Sequence, residues 1–218
     1  MRPLRRAARR IGTLYTPAEI NSVFNKEQLE KAARAANSYL ERLLRYARSP
    51  EFPGDYTSVA AQVLTTPTVF DQTVTISAGA DHGIAPHDVV VTADGLVGQV
   101  TRVFGSVSRV MLITARESAV RAVDAQSQSA VGVLERGSSA STLSLNRIAK
   151  DKKVDAGDTI VTAGSPGGGA LPSIFPANIP IGTVTSVGQS ETDIFKQVQV
   201  QPLVDLSSLQ SVIFVRNR

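Results

Sequence analysis

From residue 57 onward, hydrophobic residues come in short β-branched runs that are separated by Gly, Pro, Asp and Ser. Runs of this length and composition are typical of β-strands. They follow one another closely, with no helical pattern between them, which predicts antiparallel barrels or sandwiches instead of alternating strands and helices. The predicted strands lie at about 57–65, 69–78, 88–93, 96–104, 107–114, 118–124, 129–135, 141–148, 158–163, 180–187, 194–202 and 210–216.

One pair of these strands occurs twice in the sequence. Residues 88–103 read DVVVTADGLVGQVTRV, whereas residues 158–164 and 181–187 read DTIVTAG and IGTVTSV. Internal similarity of this kind indicates that one supersecondary unit was used twice. The sequence therefore predicts a mainly β protein with two small, related antiparallel β-barrel-like domains.

Glycines mark special positions in these copies. Asp94-Gly95 predicts a tight hairpin turn in the first copy. Gly98 recurs as Gly182 in the second copy, and a glycine inside a strand indicates a bulge or the close approach of another backbone. A further bulge is predicted near Gln197, where the alternation of apolar positions is imperfect.

The second copy carries a long insertion between its two strands. Three residues (94–96) become seventeen (164–180), which are rich in Gly and Pro but also include Leu171, Ile174 and Phe175. Long connections in compact domains are usually functional or disordered. These apolar side chains are therefore predicted either to bind a partner or to close the open end of the second barrel.

An amino-terminal helix precedes the β-region. Thr16, Pro17 and Glu19 form a capping box, and the helix is predicted to end at Ser49-Pro50. Its apolar positions follow a coiled-coil heptad spacing. This seam predicts self-association, with docking of the helix on its own β-region as the alternative. The seam residues are Leu29, Ala32, Ala36, Tyr39, Leu43 and Tyr46.

These signals give a domain organisation. We predict a basic arm (1–15), a dimerisation helix (16–49), a linker (50–56), β-domain I (57–112, completed by 192–218) and β-domain II (113–191).

Charge is concentrated at the amino terminus. Residues 1–50 contain nine Arg and two Lys against four Glu, a net charge of +7, whereas 12 basic and 15 acidic residues follow. The arm is either solvated or in contact with an anionic surface. No interleaved aromatic residues accompany it, which argues against nucleic-acid binding.

Catalytic and cofactor patterns are weak. The chain has no Cys, and its two histidines, His82 and His87, lie in one Gly/Pro turn. The glycine-rich residues 164–169 lack the Lys-Ser/Thr of a phosphate-binding loop. Pro166 directly after Ser165 removes the backbone donor that an oxyanion hole would need there. We therefore expect no enzyme activity, no metal and no cofactor.

Several segments together resemble the extracytoplasmic part of the bacterial rod-shape-determining MreC family. Besides DVVVTADGLVGQVTRV, they read VMLITARESAVRAV (110–123), AVGVLERG (130–137), VDAGDTIVTAGS (154–165) and IFPANIPIGTVTSV (174–187). The resemblance covers about residues 57–218, and its most specific parts are DGLVGQV and FPxxIPIGTV. It implies two β-domains behind a dimerising helix.

The resemblance also implies a function. Members of this family are non-enzymatic scaffolds of the peptidoglycan-elongation machinery, together with MreD, MreB, RodA and a class B penicillin-binding protein. They lie at the extracytoplasmic, periplasmic face of the cytoplasmic membrane on one spanning helix, and no run of about 18 apolar residues that would form it occurs in this chain. A degenerate chymotrypsin-like hydrolase and an unrelated extracytoplasmic adaptor are the alternatives.

Overall fold

Strands make up most of the described part of the chain. The computed structural model describes Glu41, Arg45 and residues 56–165, 173–188 and 194–217. A short 3-10 turn covers Ala80–His82. The strands are β1 (Tyr56–Gln62), β2 (Thr73–Ile76), β3 (Val89–Val91), β4 (Leu96–Val103), β5 (Ser108–Leu112), β6 (Val120–Asp124), β7 (Val131–Arg136), β8 (Leu143–Ala149), β9 (Thr159–Thr162), β10 (Pro180–Gly188), β11 (Phe195–Pro202) and β12 (Ser211–Asn217).

The first module is a six-stranded antiparallel sheet in the order β1-β12-β3-β4-β5-β2. Its two outer strands meet through a single bridge between Val63 and Ile76. Two backbone hydrogen bonds extend this contact, Leu64 N–H to Thr75 O at 2.7 Å and Ser77 N–H to Gln62 O at 2.9 Å. The sheet is therefore curled into a barrel-like shape that closes at only one point.

The second module is a closed barrel in the order β10-β11-β8-β7-β6-β9, in which β9 also pairs with β10. Closure leaves its strands without unpaired edges. The fold class is therefore as the sequence predicted, mainly β with two small antiparallel modules.

The duplication is visible in the strand register. Val89, Val90 and Val91 of β3 pair with Gln99, Gly98 and Leu96 of β4, with a bulge before the last pair. The second copy repeats these pairs and the bulge in β9 and β10, as Thr159↔Thr183, Ile160↔Gly182 and Val161↔Pro180.

A second bulge, further along β4, also recurs in β10. It leaves Thr101 of β4 and Thr185 of β10 unpaired, and both hydroxyls donate 3.3 Å hydrogen bonds to carbonyls of the next strand, those of Arg109 and Gln199. Repeated irregularities show that the copies share a three-dimensional design as well as a sequence pattern.

Chain order differs between the modules. Strands β6–β11 follow one another within the barrel, whereas the first module takes β1–β5 and then β12. The expectation that residues 192–218 complete the first module is therefore wrong for β11, which pairs with β10 and β8. Only β12 returns, between β1 and β3.

Two local expectations on strands have different outcomes. The bulge predicted near Gln197 is confirmed, since the register of β11 against β8 shifts between Lys196 and Val198. The strand predicted at 69–78 is shorter, because β2 begins at Thr73 and Val69 and Phe70 lie in the preceding loop.

Alternate strand positions fill one core in each module. Fully buried side chains of the first sheet include Ile76, Leu96, Leu112 and Phe214, and those of the barrel include Leu134, Leu143, Leu145, Ile148 and Ile160.

The amino-terminal helix lies almost entirely outside the described residues. Glu41 and Arg45 are helical and exposed, whereas the predicted seam residues Leu29, Ala32, Ala36, Tyr39, Leu43 and Tyr46 are not described. Within the described ranges, no helix has the length and apolar content to cross a membrane.

Candidate functional site

The histidines do not build a catalytic site with Ser165. His82 lies in the 3-10 turn of the first module and His87 in the turn before β3, and both are exposed. Ser165 follows β9 of the barrel, where its hydroxyl oxygen accepts a hydrogen bond from Ser173 N–H. Among the described residues, no group of three His, Cys, Asp or Glu is arranged to hold a metal ion.

The ends of the β9–β10 connection are held by Thr162. Its hydroxyl accepts a hydrogen bond from Ile179 N–H at 2.9 Å and donates one to the carbonyl of Pro176. Thr92 is the equivalent residue of the first copy, and its hydroxyl holds the short turn by accepting a 3.2 Å hydrogen bond from Asp94 N–H. The long connection is therefore an elaboration of the Asp94-Gly95 turn on an unchanged base.

Within this connection, neighbouring apolar residues have opposite environments. Phe175 is only 7% exposed, whereas Ile174 is 47% exposed. Leu171, the third residue predicted for this surface, lies outside the described residues. The side chain of Phe175 therefore anchors the connection, and Ile174 is the one available to another molecule.

The turn of the first copy also contacts the barrel. Gly95 has φ of 147°, and any Cβ on it would overlap the carbonyl of Pro180 in β10. This close approach explains why the Asp94-Gly95 turn carries no side chain at its second position. The two copies of the repeated unit thus meet at Gly95 and Pro180.

A cleft of about 540 Å³ lies elsewhere. It is bounded by the β1–β2 loop around Pro67–Gln72 and by the connection from β11 to β12 around Leu203–Ser207. Gln72 orders one wall, since its side-chain oxygen accepts a 2.7 Å hydrogen bond from the Thr114 hydroxyl.

Three exposed apolar residues line this cleft or lie directly beside a residue that lines it, and we call them the apolar rim. Val69 is 65% exposed and Leu203 44%, and both line the cleft, while the adjacent Phe70 is 99% exposed. A fully exposed Phe is unusual because a buried aromatic ring contributes strongly to stability. Sequence reasoning missed this apolar rim because it assigned Val69 and Phe70 to a strand; Pro67 just before them was the available loop signal.

Asp205 organises the opposite wall of the cleft. Hydrogen bonds from Ser207 and Ser208 lower the pKa of its carboxyl below the ordinary value of 3.8. These hydrogen bonds hold the local turn that forms this wall.

A comparison with protein families decides the identity of the β-region. Residues 63–216 match the family model described as "Rod shape-determining protein MreC, barrel core". The chain belongs to the MreC family.

Relatives of this MreC-family chain are longer than it is. It is 28% identical over 166 residues to the cell shape-determining protein MreC of Listeria monocytogenes, which covers 74% of the chain and 54% of the relative. The chain therefore spans about half the length of the curated relative it matches. The family description names rod-shape determination, which agrees with the expectation of a non-enzymatic protein.

Solved structures of MreC show the same fold. One, described as "MreC", has a TM-score of 0.74 and 24% identity, and it covers 85% of this chain and 99% of its own. Another is a complex between penicillin-binding protein PBP2 and MreC from Helicobacter pylori, with a TM-score of 0.53, 17% identity and coverage of 74% and 100%. These two structures show that the chain shares the MreC fold. The H. pylori structure also shows a penicillin-binding protein as a partner of that MreC.

Proposed function

We propose that this chain is a non-enzymatic scaffold of the cell-wall elongation machinery, located at the extracytoplasmic face of the cytoplasmic membrane, where it maintains rod shape. The observation that carries the proposal is the MreC barrel-core match over residues 63–216. The scaffold acts by self-associating through the helix seam and by binding a class B penicillin-binding protein. MreD, RodA and MreB are further partners that the family resemblance implies.

We place the contact with the penicillin-binding protein at the β9–β10 connection. Thr162 fixes the base of this connection and Phe175 is buried, so the adjacent, exposed Ile174 is presented on a part of the chain that these contacts hold in place. A preorganised apolar residue binds without a large ordering cost. Leu171, also in this connection, is proposed to extend the same surface.

The test is binding of the full chain to the extracytoplasmic region of the class B penicillin-binding protein from the same genome. We expect Ile174→Ser to weaken binding at least about five-fold, as loss of an interface anchor does. Because Ile174 is half-exposed, the melting temperature should stay within about 2 °C of the parent.

The apolar rim supplies the matched control. Val69→Ser and Phe70→Ser also remove exposed apolar side chains, but these side chains lie at the apolar rim and not in the β9–β10 connection. If the rim variants lose binding and Ile174→Ser does not, the partner surface is at the cleft and our assignment is wrong. If none of the three changes affects binding, neither apolar surface makes the contact.

A further inference from the structure

A polar groove lies on the outer face of the barrel, where β8, β10 and β11 meet the connection between β7 and β8. Its volume is about 320 Å³, near the lower end of the range of about 300–1,000 Å³ for small-molecule sites. None of its nine lining residues is charged. Six carry a hydroxyl or a primary amide: Ser138, Thr142, Ser144, Ser186, Gln197 and Gln199.

Strand alternation in β11 places the two glutamines on one face. Gln197 and Gln199 are both exposed, whereas Val198 between them is fully buried. At a rise of about 3.4 Å per residue, their Cα atoms are about 7 Å apart. Opposite Gln197 on β10 stands Gly188, and opposite Gln199 stand Ser186 of β10 and Ser144 of β8. Gly188 contributes no side chain to its end of the groove.

The groove keeps unused hydrogen-bonding capacity. Within the described part of the chain, the side chains of Ser138, Ser186, Gln197 and Gln199 make no hydrogen bond, whereas Ser144 Oγ donates to Asn146 Oδ1 at 2.8 Å. Each free primary amide offers two donors and one acceptor oxygen, and each free hydroxyl offers both functions. The groove therefore presents donors and acceptors side by side.

This inventory limits the ligand chemistry. The lining disfavours a phosphate or carboxylate ligand because it has no Lys or Arg to donate charge-assisted hydrogen bonds, and it disfavours a cationic ligand because it has no Asp or Glu. An added β-strand is also excluded, because β8, β10 and β11 are paired on both sides within the closed barrel. A ligand rich in neutral groups that both donate and accept hydrogen bonds matches what remains.

We propose that the polar groove binds a neutral polysaccharide, engaging one or two sugars that carry hydroxyl and acetamido groups. That this polysaccharide comes from the cell wall is an inference that rests on the proposed function. No aromatic side chain lines the groove, so a single contact is weak. Repeated sites on a polymer, together with a self-associated protein, raise the overall affinity without any new contact.

The experiment uses the full chain with two probes, the soluble tetramer of N-acetylglucosamine and insoluble chitin. We expect the tetramer to shift the side-chain amide signals of Gln197 and Gln199 in nuclear magnetic resonance spectra, and the protein to sediment with chitin. Each glutamine changed to Ala should weaken binding about five-fold, because its amide hydrogen bonds are lost.

A blocking variant tests the shape of the groove. A Cβ at Gly188 would make only ordinary contacts, with the nearest atom at 3.6 Å. Gly188→Val should therefore fold normally and abolish the amide shifts by placing a side chain at that end of the groove. Gln201→Ala is the matched control, since Gln201 is an exposed residue of the same strand that does not line the groove.

The outcomes separate this proposal from the proposed function. Loss of glycan binding in the Gln197, Gln199 and Gly188 variants, with normal binding to the penicillin-binding protein, supports the polar groove. Absence of tetramer shifts and of sedimentation overturns it, as does equal loss in Gln201→Ala. If the groove variants change self-association and not glycan binding, the groove faces a second copy of the chain and the proposal is wrong.

Discussion

At the scale of single residues, Gly98 and Gly182 occupy equivalent positions that have no room for a side chain. A Cβ on Gly98 would overlap the carbonyl of Met111 in β5. At Gly182 it would lie 2.5 Å from the carbonyl oxygen of Gln201 in β11 and 2.5 Å from Val200 Cγ1. Both positions adjoin a bulge, where the next strand approaches closely.

We predict that Gly98→Ala and Gly182→Ala each lower the free energy of unfolding by about 1–3 kcal/mol, because the added methyl group forces the backbone apart. Gly188→Ala, in the same strand as Gly182, is the control, since its nearest contact would be 3.6 Å. Urea unfolding of the three variants checks this. Equal midpoints for Gly182→Ala and Gly188→Ala would refute the steric argument.

Asp205 gives a prediction on pH. Because hydrogen bonds from Ser207 and Ser208 lower its pKa in the folded protein, its carboxylate stabilises the fold above the ordinary value of 3.8. This contribution is lost as the pH falls through the lowered pKa. Asp205→Asn should therefore be less stable than the parent at neutral pH, and the difference should disappear in acid well below 3.8. Thermal melts across that range test the sign, and a difference that grows in acid would contradict it.

At the scale of elements, the sequence pattern predicted those features of the strands that depend on residues close together in the chain. The repeated hairpin, its glycines and the bulge near Gln197 are local features, and the register of β3–β4 and β9–β10 bears out the duplication. The placement of β11 was wrong because its partners, β8 and β10, are chosen by packing between distant segments. The polar groove was missed for the same reason, since its residues come from three strands and a loop.

The helix seam remains a prediction of the sequence. If the helix pairs with a second copy, Leu43→Asp places an uncompensated charge in an apolar contact and should convert a dimer to a 23.1 kDa monomer. The β-region should stay folded, because the change lies outside its strands. Light scattering that gives the same mass for both proteins would exclude this seam as the dimer contact.

At the scale of the whole molecule, the barrel is an insertion in the first module. Strand β6 occupies the same place beside β9 that β12 occupies beside β3. In the barrel, β6 precedes the other five barrel strands along the chain. In the first module, by contrast, β12 follows the other five strands of that module. The two modules are therefore circular permutations of one six-stranded arrangement, and residues 113–210 interrupt the first module between β5 and β12.

This arrangement predicts different autonomy for the two modules. Residues 113–204 contain all six barrel strands and should unfold cooperatively as an isolated fragment. Residues 56–118 lack β12, so β1 and β3 lose the strand between them, and we expect this fragment to remain unfolded.

A permuted fragment provides the decisive comparison. Asn217 pairs with Tyr56, so residues 210–217 can be joined to residue 56 by a short Asn-Gly turn that completes a hairpin. The permuted first module then has the strand order of the barrel and should fold, with a sharp thermal transition that residues 56–118 alone do not show. If residues 56–118 fold equally well without β12, the returning strand is dispensable and the insertion does not divide the first module into interdependent parts.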